Sequence, residues 1–176
     1  GDEAPVLWEH QFKLNGKWQN WSTCTKPIGG KCPFCDWAEK NDGEYRRYKA
    51  AFFTIIDCSE YTDKKGEKHT ATKRLMCCKS GTAEKIKRKW MRLQEDGKSL
   101  KGAMFEVYRT NSDKSPAVGE DFEYIKHVDM DAMEDSTEFD YAEILKPDVD
   151  LAATYIAAIQ EERGIATGAD GYDVPF

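Results

Sequence analysis

Residues 9–37 read EHQFKLNGKWQNWSTCTKPIGGKCPFCDW. Three of the six cysteines and one of the three histidines, as His10, Cys24, Cys32 and Cys35, fall within 26 positions. The spacing is His-x13-Cys-x7-Cys-x2-Cys. Cys32-Pro33-Phe34-Cys35 can form a tight knuckle in which both thiolates face one ion. Cys24 and His10 would complete a tetrahedral CysCysCysHis shell. Thiolate and imidazole donors in such a set favour Zn²⁺. Four protein ligands leave no position for water or substrate, so the expected site is structural and ties down a turn-rich segment. A zinc deaminase would need H-x-E and P-C-x-x-C, whereas Phe12 stands two after His10 and Lys31 precedes Cys32. The competing reading makes the three cysteines small buried apolar residues and His10 a surface residue.

The rest of the composition suits that expectation. The 176 residues are 40% hydrophobic and 33% charged. That length fits one domain with an appendage. The aromatic content is too high for a disordered chain. No apolar run approaches the roughly 18 residues of a membrane span. Residues 1 to 9 lack the basic start and apolar core of a signal peptide. A reducing cytosolic setting is therefore expected, in which cysteines suggest metal or free thiols before disulfides. Cys58, Cys77 and Cys78 read as packing residues, since adjacent strand positions point to opposite faces. His69 and His127 read as ordinary surface or packing residues.

The net charge of −6 hides an asymmetry. Residues 1–127 carry 24 Lys+Arg against 19 Asp+Glu, and residues 128–176 carry 2 against 13. A basic body with an acidic tail suggests a polyanion ligand with the tail as an internal competitor; the plainer reading is a solubilising tail.

Residues 5–40 are rich in turns and aromatics, with little periodicity. YKAAFFTIIDC (48–58) reads as a strand, and YTDKKGEKHTATKRLMCC (61–78) as a hairpin with its tip at DKKGEK. TAEKIKRKWMRLQE (82–95) reads as a helix capped by Thr82, with Ile86, Trp90 and Leu93 on one face. AMFEVYRT (103–110) and DFEYIKHVD (121–129) are alternating strands around a turn at SPAVG. This order fits a mainly β fold with some α structure, a small Greek-key barrel of the OB type. Residues 130–147 look irregular and exposed. DLAATYIAAIQEER (150–163) reads as an amphipathic helix capped by Asp150, with Ala152, Tyr155, Ile156 and Ile159 as its stripe. The expected domains are a nucleic-acid-binding body over 1–129 with its zinc subdomain at about 8–40, an acidic linker and helix over 130–163, and a flexible acidic tail over 164–176.

A resemblance covers roughly residues 5–95. HQFKLNGKW…C…CPFCDWAEKND, the basic-aromatic EYRRYKAAFFTIID and the helix ending KIKRKW resemble the core of the zinc-containing single-stranded-DNA-binding proteins of tailed phages, the T-even helix-destabilising type. The resemblance implies a zinc subdomain inserted into an OB barrel, with the DNA strand in a cleft between them. It implies His10, Cys24, Cys32 and Cys35 as zinc ligands, and the cytoplasm of an infected bacterial host as the setting. The family's basic N-terminal arm and the strand before the zinc segment are not part of this sequence. The ending Asp173-Val174-Pro175-Phe176 resembles the acidic tip with which bacterial single-stranded-DNA-binding proteins recruit replication and recombination partners.

Binding single strands without sequence preference requires cations along the phosphates and flat rings for the bases. The chain interleaves the two in Tyr45, Arg46, Arg47, Tyr48 and Lys49, then Lys73 and Arg74, then Lys87, Arg88, Lys89 and Arg92 around Trp90. A lysine-rich helix face is also an ordinary solvated face, and Trp90 also suits a core. Trp18, Trp21 and Trp37 flank the knuckle as its small apolar core. No H-E-x-x-H, no paired carboxylates with an activating base and no Gly-rich phosphate loop point to an enzyme. The alternative to a single-strand binder is a zinc-dependent regulatory or interaction module for duplex DNA or RNA.

Overall fold

The computed structural model describes residues 4–108 and 121–165, apart from the side chains of Asn20 and Trp21. The expected turn at SPAVG and the tip Asp173, Val174, Pro175 and Phe176 lie outside the described residues. The chain divides into two compact units. One comprises Trp8–Tyr48 with Leu145–Phe176, here the cysteine unit; the other comprises Gly1–Leu7 with Lys49–Ile144, here the sheet unit.

The cysteine unit begins with a hairpin of β1 (Val6–Leu14) and β2 (Lys17–Thr23). Asn15 and Gly16, at φ 52° and 71°, form its two-residue turn. Two left-handed residues match the twist of the flanking strands, which is why Asn-Gly suits this turn. The register slips between His10 and Phe12. A short 3-10 turn at Lys26–Ile28 then leads into α1 (Pro33–Lys40). Cys32 is the N-cap residue of α1, and Pro33 occupies the first turn, where its missing N–H costs nothing. So the segment expected to show little periodicity contains two strands: Trp8, Phe12 and Leu14 alternate along β1 and pack into one core.

That core includes α4 (Val149–Glu162). Asp148, not Asp150, caps α4, accepting a hydrogen bond from the Leu151 N–H at 2.9 Å. Ala152 and Ile159 are buried against Phe12, Phe34, Trp37 and Tyr45, with Tyr155 and Ile156 packed alongside. The Phe12 ring lies 4.8 Å from both Phe34 and Tyr155. The helix expected as an appendage thus clusters with residues 8–48, because the apolar face of β1 covers its stripe.

In the sheet unit, β3 (Tyr48–Asp57) pairs with β6 (Thr72–Lys79) without a break, from Ala50↔Lys79 to Asp57↔Thr72. On the other edge of β3 the Phe52 N–H donates to the Pro5 carbonyl at 3.0 Å. The hairpin expected over 61–78 is a correction. Only the two-residue strands β4 (Tyr61–Thr62) and β5 (Lys68–His69) pair there, and 72–79 turns to the longer β3. Eight paired positions satisfy more backbone groups than a short local return could. α2 (Ser80–Glu95) follows directly, starting two residues before the expected Thr82 cap. It packs Ile86 with Cys78 and with Phe122 of β8 (Asp121–His127), which pairs antiparallel with β7 (Ala103–Tyr108). Tyr141, opening α3 (Tyr141–Ile144), accepts a hydrogen bond from the Thr54 N–H at 2.7 Å.

The fold is mixed α and β with antiparallel sheets. Among the described residues no closed barrel forms, because β7 and β8 ladder only with each other. No helix among those residues is long and apolar enough to cross a membrane.

Candidate metal centre

His10, Cys24, Cys32 and Cys35 come together in the core of the cysteine unit, all buried, with donor atoms within 4.8 Å of one another. Each arrives on a different local device. β1 carries His10, the residue after β2 is Cys24, and the N-cap and first turn of α1 supply Cys32 and Cys35. Cys24 Sγ lies 3.7 Å from Cys32 Sγ and 3.6 Å from Cys35 Sγ. His10 Nε2 lies 3.3 Å from Cys32 Sγ and 3.7 Å from Cys35 Sγ. A tetrahedral ion with bonds of about 2.3 Å to sulfur and about 2.05 Å to nitrogen has S···S edges of about 3.8 Å and S···N edges of about 3.6 Å. These four edges fit that polyhedron to within about 0.3 Å. They are far from the roughly 2.05 Å of a disulfide.

The imidazole is held in the tautomer a metal needs. His10 Nδ1–H donates to the Tyr45 backbone carbonyl at 2.7 Å, so Nε2 faces the sulfurs and is the nitrogen that would supply a lone pair to an ion. The ring also stacks on Phe34 at 5.2 Å. Tyr45 reaches this position through a left-handed backbone, φ 57°.

Electrostatics point the same way. Burial and the neighbouring Cys32 charge push the Cys35 thiol up to about 12. Burial likewise raises Cys24. At Cys32 burial also pushes upward, but in the metal-free pocket a proton on His10 Nε2 facing the sulfur and the hydrogen bonds from the backbone at Cys35 and Thr25 outweigh it and bring it down to about 6; an ion would displace that proton. The pocket alone thus tolerates one thiolate. Three like charges at these distances require a cation, and a divalent ion removes the repulsion. Glu9, next to His10, is fully buried; burial pushes its carboxyl up to about 7 against the hydrogen bond from Thr23.

A second group, Asp63, Glu67 and His69, also brings its donors within 4.8 Å. It reads as a turn: Asp63 Oδ1 accepts from the Lys65 and Glu67 N–H groups, and Oδ2 lies 3.1 Å from His69. Lys64, Lys65 and Lys68 around it oppose a cation.

The residues expected to touch nucleic acid take varied positions. Tyr45 is buried, its hydroxyl accepting from Arg163 at 2.9 Å. Arg46, Arg47 and Lys49 are exposed and Tyr48 is half-buried. The Arg47 guanidinium lies 4.6 Å above the Trp8 ring. Lys73 is bound to Asp135 at 2.8 Å and sits over Phe139; Arg74 is bound to Asp57 at 3.0 Å and sits over Tyr61. Lys87, Arg88 and Arg92 are exposed on α2. Lys89 pairs with Asp121 at 3.1 Å. Trp90 is half-buried, with its indole N–H buried.

Sequence reading missed Trp8 beneath Arg47 and the Tyr45 carbonyl behind His10. Trp8 was legible in the alternation with His10 and Phe12. The carbonyl was not, since no side-chain pattern marks a backbone acceptor. Also missed was Arg163, which makes two 2.8 Å hydrogen bonds to Glu44 and lies over Trp37, joining the end of α4 to the segment after α1. No protein-family model matches this chain, and no curated protein sequence matches it.

Proposed function

We propose that the chain is a non-enzymatic, zinc-containing single-stranded-DNA-binding protein of a phage, coating exposed strands during replication or recombination in the cytoplasm of an infected bacterial host. In this reading Zn²⁺ is structural, held by His10, Cys24, Cys32 and Cys35. The sheet unit, with β3, β6, α2, β7 and β8, takes the place of that family's OB-type barrel, although its strands close no barrel among the described residues, and Asp173–Phe176 are the tip that recruits replication and recombination proteins.

One observation carries the reading. The backbone carbonyl that orients ligand His10 belongs to Tyr45, the first residue of the basic-aromatic run. An ion in the shell therefore fixes the start of a run whose next two residues, Arg46 and Arg47, face solvent. Arg47 lies on the Trp8 indole, which makes a flat, cationic surface of the kind that unpaired bases and phosphates require.

The test is a tryptophan-fluorescence titration with oligo-dT at several salt concentrations, against a duplex of equal length. Oligo-dT should bind far more tightly. Arg46→Ala and Arg47→Ala should each reduce the log–log salt slope by about 0.7. Equal or tighter binding to duplex would overturn the proposal in favour of a duplex-binding regulatory module.

A further inference from the structure

Arg163 closes α4, its N–H donating to the Ile159 and Gln160 carbonyls at 3.2 Å. Its guanidinium reaches the segment after α1. Nη1 and Nη2 each donate to one Glu44 carboxylate oxygen at 2.8 Å, and Nη2 also donates to the Tyr45 hydroxyl at 2.9 Å. The guanidinium carbon lies 5.5 Å from the Trp37 ring centroid and 5.7 Å from that of Tyr45. Glu44 takes a third hydrogen bond, from the Trp37 indole N–H at 3.1 Å, which ties it to the helix that carries Cys35. The hydrogen bonds from Arg163 hold the Glu44 carboxyl below the ordinary carboxylate range.

The Arg163 and Glu44 side chains are 38% and 36% exposed, and a surface pair of that kind adds little to stability on its own. Its position gives it another use. Asp42, Gly43 and Tyr45 have left-handed backbones, with φ of 51°, 79° and 57°. That region is unfavourable for a residue with a Cβ, so the turn needs support from outside itself. At Tyr45 the left-handed backbone sets the carbonyl 2.7 Å from His10 Nδ1. The ring of the same residue is buried, and Arg163 holds its hydroxyl. Glu44, the residue before, is held by both oxygens on the same guanidinium. A backbone rotation that swings the Tyr45 carbonyl off His10 would also pull Glu44 or the Tyr45 ring away from Arg163.

We propose that Arg163 is a positioning residue of the metal centre: through Glu44 and Tyr45 it holds the carbonyl that fixes the His10 ring for the ion. The inference rests on the metal reading of the four-residue shell and is independent of DNA binding. It gives α4 a part in ion binding beyond covering the apolar face of β1. The neighbouring Glu162 supplies an internal comparison. Its carboxylate also ties the end of α4 to a turn, accepting from the Asn15 N–H at 2.9 Å, but on the β1–β2 hairpin instead of the Tyr45 segment.

The experiment measures Zn²⁺ affinity of the full chain by competition with a fluorescent chelator, and follows the His10 Nδ1 proton of the zinc-loaded protein by NMR. Arg163→Ala should weaken Zn²⁺ binding about 10-fold, the lower end of the range for partners of metal ligands. It should also speed exchange of the Nδ1 proton with water, while the β1 amides exchange as in wild type. Glu44→Gln should do the same, and the double variant should add little to either, since the two residues act as a unit. Arg163→Lys, a point charge that cannot span both Glu44 oxygens and the Tyr45 hydroxyl, should recover only part of the affinity. Glu162→Ala should leave both readouts at wild-type values. Should Arg163→Ala fail to fold, Glu44→Gln and Arg163→Lys carry the same comparison against Glu162→Ala. Unchanged affinity and ring-proton exchange in the Arg163 and Glu44 variants would overturn the positioning role and leave the metal centre standing. Equal losses in Glu162→Ala would overturn it too, by reducing both contacts to docking of α4. Wild-type protein that binds no Zn²⁺ would overturn the shell and the positioning role together.

Discussion

Loading the cysteine shell should release about three protons per ion at pH 7. The perturbation is addition of Zn²⁺ to metal-free protein in weak buffer with a pH indicator. The count follows from the three sulfurs and His10. Cys32, against its burial, is brought down to about 6 by a proton on His10 Nε2, so that pair holds one proton between them. Cys35, pushed up to about 12, and Cys24, raised by burial, are thiols there. The ion binds only deprotonated sulfurs and the Nε2 lone pair, so all three protons leave as it enters. The sign follows: apparent affinity rises with pH, by about 1000-fold per unit near pH 7, where three protons are displaced. A fluorescent zinc chelator of known affinity, used in competition at pH 6.5, 7.0, 7.5 and 8.0, measures the slope, and the indicator measures the protons directly. Release of no protons, or an affinity independent of pH, would refute the account of the shell as one thiolate and two thiols awaiting a cation.

Two further outcomes follow from the packing. Ile159→Ala should cost about 2–5 kcal/mol, because Ile159 is buried in the core that contains the candidate ligands Cys24, Cys32 and Cys35. Its thermal shift should be larger in the zinc-loaded protein than that of an exposed control such as Leu151→Ala. Tyr141→Phe should cost about 1–3 kcal/mol by leaving the Thr54 N–H without its acceptor. Hydrogen exchange at Thr54 should accelerate while amides in the β7–β8 ladder stay unchanged.

Some of this molecule was readable because the relevant pattern is local. The Cys32–Cys35 knuckle spans one helical turn, and its two sulfurs end 3.6 and 3.7 Å from Cys24. The stripe Ala152, Tyr155, Ile156 and Ile159 depends on helical spacing, and α4 buries that face. Other parts were hidden because an apolar face does not name its cover. The 72–79 strand alternates equally well toward a short hairpin partner or toward β3, and the eight-position ladder decided for β3. Tyr45 stands in a run of cations and so reads as a contact residue, yet its ring is buried and its carbonyl holds His10.

What the sequence by itself determined is the candidate ligand set, the charge asymmetry and the apolar stripes. All three depend on residue identity and on spacings of a few residues along the chain. Only the tertiary structure decided that α4 packs with the cysteine segment and that Arg47 rests on Trp8. These depend on which apolar surfaces exclude water together. That is a choice among distant partners of similar hydrophobicity, and shape and hydrogen-bond satisfaction across the whole chain settle it.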